Sequence, residues 1–151
     1  MRRYALGLLA LGLAAGLVAA GCGGSDDNST STEAALTKAA FVQKGNAICK
    51  AGNQKINQAF NQIQGSPTQA QAEQVVTTTV IPSIQGQIDD IRNLGIPSGD
   101  ETQVNKILND AQSALDQVKK DPSLITQNGA DPFAQANKEA SAYGLTVCGS
   151  G

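Results

Sequence analysis

Histidine and tryptophan are both missing from the chain, and aromatic residues make up only 3% of it. The missing histidine removes the one side chain whose ordinary pKa lies near neutrality, which is the commonest participant in acid–base catalysis and a frequent zinc ligand. Carboxylates are what remain for such work. The adjacent pairs Asp89-Asp90 and Asp100-Glu101 are poorly arranged for it, because neighbouring positions on a helix do not face one another. The sequence also lacks a nucleophile elbow, a phosphate loop and a dinucleotide fingerprint. Its three cysteines are too dispersed to form a metal cluster. We therefore expect neither catalysis nor a cofactor nor a metal. The shortage of aromatics also implies a thin core of Ala, Val and Ile, in which a covalent staple matters most.

Long hydrophobic runs are scarce as well. The one long apolar stretch, from about Tyr4 to Val18, follows Arg2 and Arg3 and falls short of the ~20 residues a membrane span needs. It ends in Ala19-Ala20-Gly21-Cys22, small residues before an acylatable cysteine. A basic start, a short apolar core and a small-residue exit are the marks of a leader that is processed rather than folded. Residues 1–21 are thus expected to be a lipoprotein signal peptide, with Cys22 lipidated. Each acyl methylene buried in the bilayer contributes about 0.8 kcal/mol, and more than one chain makes anchoring stable.

Loss of Arg2 and Arg3 leaves nine cations against thirteen acidic residues, a formal charge of −4. Such a chain is not expected to bind nucleic acid, nor an anionic surface by electrostatics. The acidic residues are scattered, so neither a calcium loop nor an acidic tail emerges. With Cys22 assigned to lipid, Cys49 and Cys148 form an even remainder, which in an exported protein suggests a disulfide. Chain entropy assigns about 4.7 kcal/mol to closing a loop of ~100 residues.

Residues 22–33 carry the acylatable cysteine and a run of Gly, Ser, Thr, Asn and Asp without a large apolar side chain, and are expected to be a flexible tether. Asn28-Ser29-Thr30 matches a glycosylation acceptor, a weak signal in such a linker. From residue 34 to 151 the pattern is helical. Phe41, Ile48, Ile56, Ala59, Phe60 and Ile63 recur at multiples of three, four and seven up to about Gln64, with Gly45 and Gly52 on the same stripe. Ser66-Pro67-Thr68-Gln69 reads as a capping box opening a second helix. Its stripe is Val76, Val80, Ile84, Ile88 and Ile91, and Pro82 with the Thr77–Thr79 run predicts a kink or break near 78–82. Gly95 and Pro97 close that region, and Ser98-Gly99-Asp100-Glu101 reads as another capping box. Val104, Ile107, Leu108, Ala111, Leu115 and Val118 give the cleanest amphipathic helix, ending near Lys119-Lys120. A turn is expected at Ser123–Thr126, then a last helix capped by Asp131-Pro132 and terminated by Gly144. The fold class expected is all-α, an antiparallel bundle of about four helices stapled by one disulfide.

Asn53, Asn57 and Asn61 lie four residues apart and form one row along the first helix, with Gln54, Gln58 and Gln62 beside it. Amides in a row can bond a polar ligand such as a glycan or peptide, although a neutral exterior face would look the same.

Three stretches carry a family likeness: Phe41-Val-x-x-x-Asn46-Ala-Ile-Cys49, Pro97-x-Gly99-Asp100-Glu101, and Asp131-Pro-Phe133 through Tyr143-Gly-Leu-x-x-Cys148-Gly149. Over most of residues 41–149 the chain resembles the small envelope lipoproteins common in actinobacteria. The resemblance implies an exported, lipid-anchored helical protein and brings no assigned activity or catalytic residue. The expected role is therefore a non-catalytic interaction or binding module at the outer face of the cytoplasmic membrane, with an envelope protein or glycan as partner. A solute-binding accessory with a pocket between helices is the alternative, and a carboxylate-dependent hydrolase is the least supported.

Overall fold

The structure, a computed structural model, describes residues 36–63, 65–126, 129 and 131–150. The leader, Cys22, the tether and Asn28-Ser29-Thr30 lie outside the described residues. Those described belong to one compact unit spanning residues 33–151. They contain helices and turns and no strand, as an all-α bundle requires.

Helix α1 (Lys38–Asn61) opens at Thr37, whose Oγ1 accepts a hydrogen bond from Ala40 N at 3.2 Å, and it buries Phe41, Gly45, Cys49 and Gly52. These four positions are spaced by four, four and three residues, so they lie on one face. Helix α2 (Gln69–Val75) runs without interruption into a π-helical turn (Val76–Val80) and then helix α3 (Ile81–Asn93). Helix α4 is Glu101–Lys120 and helix α5 is Ala134–Tyr143, with 3₁₀ turns at Pro122–Ile125 and Cys148–Ser150. Counting α2, the π turn and α3 as one rod, four rods pack together, with α1 on α3, α3 on α4 and α4 on α5.

Proline acts two residues earlier than expected. Pro82 has no N–H to offer the Thr78 carbonyl, which would break an α-helix there. The backbone instead widens to π geometry over 76–80, where Ile81 N donates to Val76 O. The hydroxyls of Thr77 and Thr78 both donate to Gln74 O, at 3.0 and 2.7 Å. The rod continues rather than ending, and the wider turn leaves Val76 and Val80 both buried.

Three capping expectations need correction. Helix α2 starts at Thr68 rather than Ser66: Thr68 Oγ1 accepts from Gln71 N, and Gln71 Oε1 accepts from Thr68 N at 2.9 Å. The sequence holds two overlapping Ser/Thr-x-x-Gln frames, and the second places Pro67 outside the helix. At α4, Ser98 is not the cap. Asp100 occupies that position without a side-chain cap bond, because its Oδ2 accepts from the Tyr143 hydroxyl at 2.7 Å. Glu101 Oε2 accepts from Gly99 N instead, at 2.8 Å. At the last helix, too, Asp131 is not the cap: Phe133 occupies that position without a side-chain cap bond, and Asp131 Oδ1 accepts from Phe133 N at 3.0 Å just before the helix begins.

The apolar interior consists of two clusters. The larger gathers Phe41, Ile88, Ile91, Val104, Leu115 and Leu145, among others. Phe41 meets Tyr143 edge-on, with ring centroids 6.1 Å apart, and Lys38 Nζ stands 4.1 Å from the Tyr143 ring centre. The smaller cluster is Val76, Val80 and Val118, with Ile56, Phe60, Ile84, Ile125 and Phe133 against it. α5 ends at Gly144, whose φ of 116° lies in the left-handed region, and Leu145 N returns to Ala140 O at 2.8 Å. This reversal sends residues 145–150 back across the bundle as a strap.

Candidate functional site

The strap is fixed to α1 at several points. Cys49 and Cys148 form the expected disulfide, with a Cα–Cα separation of 5.1 Å. Asn46 lies three residues before Cys49 on the same face; its Nδ2 donates to Gly144 O at 3.1 Å and its Oδ1 accepts from Val147 N at 2.9 Å. Asn53, four residues after Cys49, donates to Val147 O at 3.4 Å. Leu145 is 1% exposed and lies over Gly45, where a Cβ would come 2.6 Å from Leu145 Cδ2. Glycine at 45 is what admits the leucine, and Gly52 admits the Gln87 side chain in the same manner.

Between strap, α1, α3, α4 and α5 lies a cavity of about 460 Å³. It sits where the two apolar clusters meet: Ile88, Ile107 and Leu108 belong to one, and Ile56, Ile125 and Phe133 pack on the other. The thin core anticipated from the scarcity of aromatics thus has a physical form, since short aliphatic side chains reach the middle from several helices without filling it. The volume falls in the range of small-molecule sites, roughly 300–1,000 Å³. Its polar lining comes chiefly from the amides of Asn53, Asn57, Gln87 and Asn137, and among the described residues Asp131 is the one ionisable group that lines it. Gln87 Nε2 donates to Ser83 O at 3.2 Å, which holds that amide in place.

Charges with perturbed ionisation lie elsewhere. Hydrogen bonds to Asp110 and Glu139 hold the Lys106 ammonium above its usual range, and the bonds from Lys119 and Gln112 hold the Asp116 carboxyl below its own. Burial pushes the Tyr143 hydroxyl strongly up, and its bond to Asp100 adds to the effect. None of these groups lines the cavity. Among the described residues no cluster of His, Cys, Asp and Glu is arranged to hold a metal, and no helix is long and apolar enough to cross a membrane. Asp89 is occupied on the exterior by Gln85 Nε2 at 3.1 Å and Arg92 at 3.7 Å.

The expected amide row is divided. Asn53 is half-buried and engaged by the strap, Asn57 is exposed and lines the cavity, and Asn61, the last residue of α1, is exposed and away from it. Asn46 was missing from the row, yet it bonds both the reversal at Gly144 and the strap at Val147. Its position three residues before Cys49 was the available signal, because a tail bonded to Cys49 must pass over the helical neighbours of that cysteine.

Compared with known proteins, the chain matches no family profile, no curated sequence and no solved structure.

Proposed function

We propose that this protein is a lipid-anchored, non-catalytic binding protein of the cell envelope that takes up a small ligand between its helices. The observation that carries the reading is the aliphatic cavity of about 460 Å³ with amide groups in its lining. A concave, mostly apolar space with a few polar groups in its lining is the usual form of a small-molecule site. The anchor rests on the Ala19-Ala20-Gly21-Cys22 pattern.

Two measurements test this. Cys22→Ser in the full chain should release the protein from membranes or leave an unprocessed precursor; normal processing with unchanged membrane association would refute the anchor. A thermal-shift screen of the full chain in phosphatidylcholine nanodiscs against chemically diverse small molecules should yield stabilising compounds, a ligand at 100 times its Kd contributing about 2.7 kcal/mol. Absence of any shift across the set would refute the pocket.

A further inference from the structure

The cavity's walls restrict what it can hold. Among its described lining residues six are isoleucine, one is aromatic (Phe133), and none is lysine or arginine. An anionic ligand entering this space would lose its hydration without gaining a cation, at a cost of several kcal/mol. A cationic ligand would find Asp131, which already accepts from Phe133 N, and a single ring rather than an aromatic cage. A flat aromatic ligand would likewise meet one stacking partner. Branched aliphatic walls suit an aliphatic chain, and amide side chains can both donate to and accept from an uncharged hydroxyl or ester.

We infer that the site takes a single neutral aliphatic chain ending in an uncharged hydrogen-bonding head, such as an alcohol or an ester. The inference rests on the binding reading above and narrows it to one ligand class. The chain's body lies against Ile84, Ile88, Ile107 and Leu108, and its head reaches Asn57 on α1. Ala111 on α4 also lines the space, so a larger side chain there narrows the cavity from its wall.

The test uses the full chain in phosphatidylcholine nanodiscs and photoreactive alkyl diazirines of equal chain length bearing a hydroxyl, a sulfonate or a trimethylammonium head, with an aryl diazirine as a fourth probe. Labelled residues are mapped by peptide mass spectrometry. The hydroxyl probe is expected to label residues 84–91 and 107–111 at least about ten-fold more than either charged probe, the ratio that ~1.4 kcal/mol of unpaired charge produces. Ala111→Phe should abolish that labelling. Ala111→Leu, a smaller insertion, should reduce it while circular dichroism stays unchanged. Asn57→Lys, which sets a cation at the exposed edge of the cavity, should raise sulfonate labelling several-fold. Equal labelling by hydroxyl and sulfonate probes would overturn the ligand class, as would hydroxyl labelling indifferent to both Ala111 variants. Labelling by the aryl or ammonium probe alone would overturn the class and leave the binding reading standing, whereas labelling by none would remove the binding reading itself.

Discussion

Replacing Cys49 and Cys148 together by alanine opens a loop whose ends are 99 residues apart in sequence. Chain entropy puts the loss near ~4.7 kcal/mol for a loop of this size, and removal of native disulfides from small domains costs about 2–5 kcal/mol in practice. What then happens to the strap follows from its remaining contacts. Burial of Leu145 is worth about 1.5–3 kcal/mol, and the two Asn46 bonds add about 0.5–1.5 kcal/mol each. Ordering six residues costs roughly 6–12 kcal/mol of backbone entropy. The Asn53 bond to Val147 O and the part-buried Val147 add to these, so without the disulfide the strap is held only marginally and should open more readily than the helices separate. Differential scanning calorimetry should show Tm lower by roughly 8–20 °C, at ~4 °C per kcal/mol for a domain of this size. Hydrogen exchange should show loss of protection at Val147 N and Gly149 N, whose acceptors are Asn46 Oδ1 and Leu145 O. A Tm within about 3 °C of the parent with Val147 still protected would refute the reasoning, because Asn46 and Leu145 would then suffice without the bond.

Gly45→Ala pits propensity against packing: alanine favours the helix by up to ~1 kcal/mol, but its Cβ would lie 2.6 Å from Leu145 Cδ2 and overpacking costs typically 1–3 kcal/mol. Urea denaturation should show net destabilisation, and Leu145→Ala in the same chain should make Gly45→Ala less costly than it is alone; a stabilised Gly45→Ala would mean that the strap yields freely. Tyr143→Phe removes the donor to Asp100 and should cost about 1.5–3 kcal/mol at neutral pH, as for hydrogen bonds to charged groups. Because the fold raises the Tyr143 hydroxyl above its ordinary value of 10.0, its contribution is complete below that pH and is lost as pH climbs toward the folded value. The stability difference between parent and variant should therefore narrow above pH ~10, and a difference independent of pH in urea titrations would contradict the assignment.

Much of the fold was legible in periodicity. The α4 stripe and the Cys49–Cys148 pair needed only helical spacing and the expectation of export; the pair is bonded, and the stripe is buried as read except that Ala111 is half-buried and Ala114 joins it. The misreadings arose where local rules compete. Thr68-Gln69-Ala70-Gln71 and Ser66-Pro67-Thr68-Gln69 satisfy the same capping pattern, and sequence alone does not rank them. Asp100 looked like part of a cap, but a tyrosine 43 residues later claims its carboxylate. Pro82 was legible as an interruption, whereas the π turn that absorbs it depends on burying Val76 and Val80. The cavity had no local signature at all, because it arises from side chains on four helices and the strap that stop short of one another. Asn53 and Asn57 were singled out for a polar ligand, and they prove to border an apolar space whose walls came from residues read as ordinary core.

The central claim is that the space between the helices is an occupied ligand site. Native mass spectrometry of the full chain, taken directly from the membranes in which it was made, addresses that claim most directly. The account predicts one non-covalent small-molecule adduct on the parent chain, absent from Ala111→Phe. A parent chain carrying no adduct, or an adduct equally abundant on the narrowed-cavity variant, would contradict it.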